Sequence, residues 1–163
     1  MTVRLSTLVV AAAALALSTG LALAGPGEPG HSHRSFAAGE PGDAKKPVAR
    51  TIVVSMKETD DAKMLFEPNQ VEIKRGEQVK FVLKNHGSVD HEFMLDTIEH
   101  NAKHKIAMEK NPDMEHDDPN GKRLAPKGSH EIVWRFTKPG TFEFACLIPG
   151  HYESGMHGTV VVK

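Results

Sequence analysis

The chain has one cysteine, Cys146, among its 163 residues. A single cysteine excludes an internal disulfide and is too few for the thiolate sets of most structural zinc sites. Its thiol is therefore available to a different metal. The sequence also lacks a Ser-His-Asp series and a glycine-rich phosphate loop, so neither a hydrolase triad nor a nucleotide site is predicted.

Basic residues are not in excess. The chain has 20 Lys and Arg against 21 Asp and Glu, a formal net charge of −1. Nucleic-acid-binding proteins usually carry a concentrated basic face, so no nucleic-acid partner is predicted. After the N-terminal segment, no apolar run reaches the roughly twenty residues that a membrane-spanning helix needs.

The N-terminus is typical of a secretory signal peptide. Arg4 precedes an apolar run over residues 8–17, and Ala-Leu-Ala at 22–24 matches a cleavage site. We therefore expect residues 1–24 to be removed and the protein to be periplasmic. A retained membrane anchor is the alternative, but the polar and glycine residues at 18–20 interrupt the apolar run.

Residues 25–48 are rich in Gly, Pro, Ala and charge and contain few large apolar residues. This composition predicts a disordered leader. Its His31 and His33 either bind metal weakly, as short histidine tracts do, or are incidental.

Beyond this leader, apolar residues alternate with polar ones, which predicts half-buried strands. Seven or so short strands of this kind predict an all-β sandwich. The inward-facing sets are Ile52/Val54/Met56, Val79/Phe81/Leu83, Phe93/Leu95, Ile132/Trp134/Phe136 and Phe142/Phe144.

Cys146, His151 and Met156 lie five positions apart near the C-terminus. A thiolate, two imidazoles and a weak axial thioether form the set that holds blue copper, so one more histidine is needed. His91 is the candidate, because it shares a strand face with Phe93 and points inward. The alternative for a lone cysteine is a small, inert core residue.

These motifs resemble the cupredoxins, a family that includes plastocyanin, azurin and auracyanin. The resemblance covers residues 49–163 and rests on Asp-His-Glu-Phe at 90–93 and the Cys-Leu-Ile-Pro-Gly-His loop with its downstream Met156. It implies one Greek-key sandwich domain with copper at one end, and it is nearest to secreted bacterial cupredoxins of copper tolerance. Many electron-transfer cupredoxins have Asn after the first histidine ligand, where its side chain can tie the two ligand loops together, and this chain has Glu92.

An insertion of about thirty residues follows the His91 strand, which is long for a connection. Its start predicts a helix capped by Asp96 that ends near Lys110, before Asn-Pro at 111–112. A possible second copper site, suited to Cu(I), is formed by His104, Met108, Met114 and His116. The alternative is that these methionines pack against the sandwich.

The sequence therefore predicts a monomeric periplasmic copper protein, not an enzyme, acting in copper homeostasis or tolerance. An electron-transfer protein is the alternative, with a redox partner docking on the apolar rim near His151. A copper-dependent oxidase is less favoured, because such enzymes resemble linked or oligomeric cupredoxin domains.

Overall fold

The computed structural model describes residues 36–114 and 118–163. The predicted signal peptide, the first part of the predicted leader with His31 and His33, and His116 of the possible second site lie outside the described residues. No helix within the described part has the length and apolar character needed to cross a membrane.

Two five-stranded sheets form the sandwich. The first contains β1 (Glu40–Pro41), β2 (Arg50–Glu58), β3 (Met64–Glu67), β5 (Gln78–Asn85) and β8 (Ser129–Arg135), in the order β1-β8-β5-β2-β3. The second contains β4 (Gln70–Ile73), β6 (His91–Asp96), β7 (Gly121–Leu124), β9 (Gly140–Ala145) and β10 (His157–Val162), in the order β4-β10-β9-β6-β7. The predicted β-sandwich is confirmed.

The core lies between the sheets and is built by alternate residues of each strand. Phe93 of β6 stacks on Phe144 of β9 with ring centroids 5.3 Å apart, and Phe66 of β3 meets Phe144 edge-on at 5.2 Å. All members of the predicted inward sets are buried except Ile52, which is half-buried at the margin of the core. Period-two alternation therefore identified the core correctly.

The disordered leader predicted for residues 25–48 is wrong for residues 36–48, which pack on the first sheet. Strand β1 pairs with β8, and Phe36 meets the ring of Trp134 edge-on at 5.2 Å. The buried Trp134 Nε1–H donates to Ala38 O at 3.4 Å. Gly39 allows the segment before β1 to approach the backbone of β8, since a Cβ there would lie 2.1 Å from Arg135 O. The composition of this segment indicated disorder because the segment contains few apolar side chains. Only a few, such as Phe36, are needed to cover Trp134.

The helix α1 (Ile98–Lys110) lies between β6 and β7, so the helical insertion is present. Its N-cap is Thr97, whose Oγ1 accepts the N–H of His100 at 3.1 Å, and the predicted Asp96 cap is wrong by one residue. The carboxylate of Asp96, still within β6, accepts the N–H of Thr97 instead. The helix ends at Lys110, as predicted, and Asn111 is its C-cap.

Helix α1 covers part of the outer face of the second sheet. Met108 is fully buried there in a satellite cluster with Met94, Ala145 and Leu147. The second sheet is therefore buried on both faces where β6 and β9 run beneath the helix.

We predict that Phe144→Ala destabilises the copper-free protein by about 3–5 kcal/mol, because it leaves a cavity beneath two aromatic rings. Urea unfolding followed by circular dichroism measures the change. Val53→Ala, at a position 47% exposed on β2, is the control and should change stability by about 0.5 kcal/mol or less. Equal effects of the two substitutions would contradict this description of the core.

Candidate metal centre

Strand pairing in the second sheet brings the candidate ligands to one end of the sandwich. β6 and β9 are antiparallel with Met94 opposite Ala145, so the start of β6 lies beside the end of β9. His91 is the first residue of β6, and Cys146 directly follows β9. The loop from Cys146 to Met156 then returns to β10.

The backbone of this loop holds its three candidate ligands near one another. Cys146 N–H donates to Met156 O at 3.0 Å, and Met156 N–H donates to His151 O at 3.1 Å. His151 N–H donates to Ile148 O at 3.0 Å, which closes a turn before the histidine. The five-residue spacing seen in the sequence therefore corresponds to a compact, hydrogen-bonded loop.

His91, Cys146 and His151 form one cluster, with their ligand atoms all within 4.8 Å of one another. Nδ1 of His151 lies 3.3 Å from both Nδ1 of His91 and Sγ of Cys146. His91 and Cys146 are fully buried, and His151 is half-buried. Met156 is fully buried in the core cluster that contains Cys146. Over residues 36–114 and 118–163, no other trio of His, Cys, Asp or Glu side chains comes together in this way.

Burial sets the protonation of these donors. It raises the pKa of the Cys146 thiol to about 12, against a smaller opposing effect of the Glu92 N–H, which donates to Sγ at 3.2 Å. Burial also lowers the pKa of both His91 and His151, so their rings are neutral near pH 7. Neutral imidazoles and one thiol are the donors that a copper site needs, and a metal must displace the thiol proton to bind.

A comparison with protein families supports the same chemistry. Residues 53–163 match the model of copper binding proteins of the plastocyanin/azurin family. The chain belongs to this family. The donor set of the cluster fits the copper ion that the family binds, so the predicted resemblance and the predicted cofactor are confirmed.

Two curated relatives carry the name copper-resistant cuproprotein CopI. The one from Rubrivivax gelatinosus is 47% identical over 145 residues, which cover 82% of this chain and 85% of the relative. The one from Pseudomonas aeruginosa is 36% identical, covering 61% of this chain and 71% of the relative. The solved structure of reduced auracyanin from Roseiflexus castenholzii matches with a TM-score of 0.60 at 22% identity, over 72% of this chain and 99% of auracyanin, and shows the shared fold.

Glu92 links the two ligand segments of this plastocyanin/azurin-family protein. It is 1% exposed, and its carboxylate accepts the N–H of Leu147 at 3.2 Å. Burial raises its pKa to about 7, against the opposing hydrogen bond from Leu147. The departure from Asn seen in the sequence therefore keeps a side-chain link between the loops but makes it a buried, titratable one. Glu92 alternates with His91 and Phe93 along β6 and therefore lies on the opposite face of the strand, where it is also buried.

Glu58 is a contact of the centre that the sequence did not indicate. It is the last residue of β2, and its Oε1 lies 3.0 Å from Nε2 of His91. Burial alone would raise its pKa, but the N–H groups of Ser88 and Val89 and nearby His91 leave the pKa lowered overall. No motif joins positions 58 and 91, because they meet only when the two sheets pack together.

The ligand loop is also held from the α1 side. Tyr152 Oη donates to Oε1 of the buried Glu143 at 2.9 Å, and Asn101 of α1 donates to Oε2 at 3.0 Å. Lys105 of α1 forms an ion pair with Glu153 in the loop. Helix α1 therefore restrains the segment that carries His151.

The predicted second site is partly described. Met108 and Met114 pack in the satellite cluster together with Met94, beside Leu147 of the ligand loop. His104 is half-buried on α1, one turn before Met108. The structure thus brings two thioethers of the predicted set to one place, while His116 is outside the described residues.

We predict that Tyr152→Phe destabilises the copper-free protein by about 1–3 kcal/mol, because the buried Glu143 carboxylate loses one of its two side-chain donors. Urea unfolding measures the change. Lys103→Ala is the control, since it removes an exposed ion pair with Glu99 and should change stability by about 0.5 kcal/mol or less. A Tyr152→Phe variant as stable as the control would show that this link contributes nothing.

Proposed function

We propose that this protein binds one copper ion in a type 1 site and acts in periplasmic copper homeostasis and tolerance. The observation that carries the proposal is the buried cluster of His91, Cys146 and His151 beside the buried Met156. Cys146 would hold the ion through its thiolate, His91 and His151 through their ring nitrogens, and Met156 through its thioether sulfur. Bound copper would supply reversible one-electron chemistry and a strong bond to sulfur.

The tolerance role is supported by the relative from Rubrivivax gelatinosus, which is named a copper-resistant cuproprotein and is 47% identical over 82% of this chain. The signal peptide expected from the sequence would deliver the protein to the periplasm. There, the buried donors would hold copper away from solvent, with His91 fixed on β6 and the other three ligands on one hydrogen-bonded loop. We propose a binding role without enzymatic turnover.

Electron transfer is the second candidate, and the difference in burial between the two histidines favours it. His91 is fully buried, whereas His151 is half-buried and lies next to the half-buried Ile148 and the exposed Pro149. A redox protein docking on this rim would meet the His151 edge of the site. A copper-dependent oxidase is a weaker candidate, because the family match covers one domain only.

We predict that titration of the mature protein with Cu(II) produces an intense visible thiolate-to-copper band that saturates at one equivalent. Cys146→Ser should abolish this band, because serine cannot supply the thiolate. Optical and electron paramagnetic resonance spectra recorded together measure the site. Absence of the band from the wild-type protein would remove the type 1 assignment.

We also propose that His104, Met108, Met114 and His116 form a second, Cu(I)-selective site, supported by the packing of Met108 with Met114. The double variant Met108→Leu, Met114→Leu conserves volume while removing both thioethers. It should bind one Cu(I) fewer than the wild type in a competition titration with a Cu(I) chelator. An unchanged stoichiometry in the double variant would remove the second site.

A further inference from the structure

The carboxylate of Glu58 reaches His91 from the opposite sheet. Glu58 ends β2 in the first sheet, and His91 begins β6 in the second. Oε1 of Glu58 lies 3.0 Å from Nε2 of His91, whose side chain is completely buried, while that of Glu58 is 25% exposed. The contact therefore joins the two halves of the sandwich at the metal centre.

The same carboxylate organises the segment that precedes His91. Its oxygens accept the N–H of Ser88 at 3.0 and 3.2 Å and the N–H of Val89 at 3.2 Å. A Cβ at position 87 would lie 2.5 Å from Oε1, so Gly87 allows the backbone to close around the carboxylate. Glu58 is thus enclosed by the backbone of this segment.

Asn85 also holds the backbone of the segment that precedes His91. Its Oδ1 accepts the N–H of Gly87 at 2.9 Å, and its Nδ2 donates to Val89 O at 2.8 Å. Asn85 is 2% exposed. Two side chains from β2 and β5 therefore fix the path of the chain into His91.

The chemistry of the contact selects one form of the imidazole. A carboxylate accepts hydrogen bonds and cannot donate them, so Nε2 of His91 carries the proton. Nδ1 then has its lone pair free, and Nδ1 is the atom that lies 3.3 Å from Nδ1 of His151 in the donor cluster. A carboxylate bound to the distant nitrogen of a ligating histidine also raises the basicity of that ligand.

We propose that Glu58 is a positioning residue that holds the His91 ring and its tautomer, and thereby sets the Cu(II) affinity and reduction potential of the centre. This inference rests on the copper site proposed above. Loss of such a partner typically lowers metal affinity by about 10–100-fold. A tenfold loss for Cu(II) with Cu(I) affinity unchanged would raise the reduction potential by about 59 mV.

The test compares Glu58→Gln and Glu58→Ala with the control Asp61→Asn. The amide of glutamine accepts or donates, so it no longer selects a tautomer, and alanine removes the contact altogether. Asp61 lies three residues further along and contacts Thr59 and Lys63, so Asp61→Asn reports the effect of removing a nearby charge. ¹⁵N chemical shifts of the His91 ring in the copper-free protein report the tautomer, and a redox titration of the copper-loaded protein gives the potential.

We expect both Glu58 variants to lose the single Nε2–H tautomer, to bind Cu(II) about tenfold more weakly and to have a raised potential, while Asp61→Asn resembles the wild type. If Glu58→Ala does not fold, Glu58→Gln decides. The proposal would be overturned if Glu58→Gln had the wild-type ¹⁵N ring shifts and reduction potential. It would also be overturned if the change in potential equalled that of Asp61→Asn. Failure of the wild type to bind copper would remove the proposed function, whereas the ring shifts of the copper-free protein would still decide whether Glu58 sets the tautomer.

Discussion

The proposed metal centre depends on the antiparallel pairing of β6 with β9. This pairing places the start of one strand beside the end of the other, so His91 and Cys146 meet although they are 55 positions apart in the chain. Side chains alternate between the two faces of a strand, so a slip of one residue would turn His91 away from the thiol. The stacked rings of Phe93 and Phe144, each two residues from a ligand, hold the register.

Around this pairing, contacts from several directions fix the proposed ligands. Glu92 binds the backbone of Leu147, Glu58 binds the ring of His91, and Tyr152 is joined through Glu143 to α1. Together these contacts restrain the proposed donors from both sheets and from α1. Because the Cys146 thiol is protonated in its buried position, copper binding must release a proton, and copper affinity should increase with pH.

Several of these features could be predicted from the sequence because they depend on local patterns. Alternation of apolar and polar residues indicated the core strands, and the parity of His91 indicated that its side chain points inward. The spacing of Cys146, His151 and Met156 indicated the loop that we propose to bind copper. The end of α1 at Lys110 followed from the Asn-Pro pair that comes next in the chain. Each of these signals lies within one element or one loop.

The features that the sequence did not reveal depend on contacts between distant elements. Glu58 meets His91 across the two sheets, and nothing near either residue in the sequence indicates this. Phe36 and β1 are ordered because they cover Trp134 on β8. The composition of residues 36–48 alone does not predict this packing. Thr97 caps α1 because Asp96 is still paired in β6 with Glu143.

X-ray absorption at the copper K-edge of the copper-loaded protein tests the central claim most directly, because it reports the atoms bound to the metal. We expect one short copper–sulfur bond and two nitrogen neighbours, with the short sulfur bond lost in Cys146→Ser. A first shell of nitrogen and oxygen alone in the wild-type protein would contradict the proposed centre.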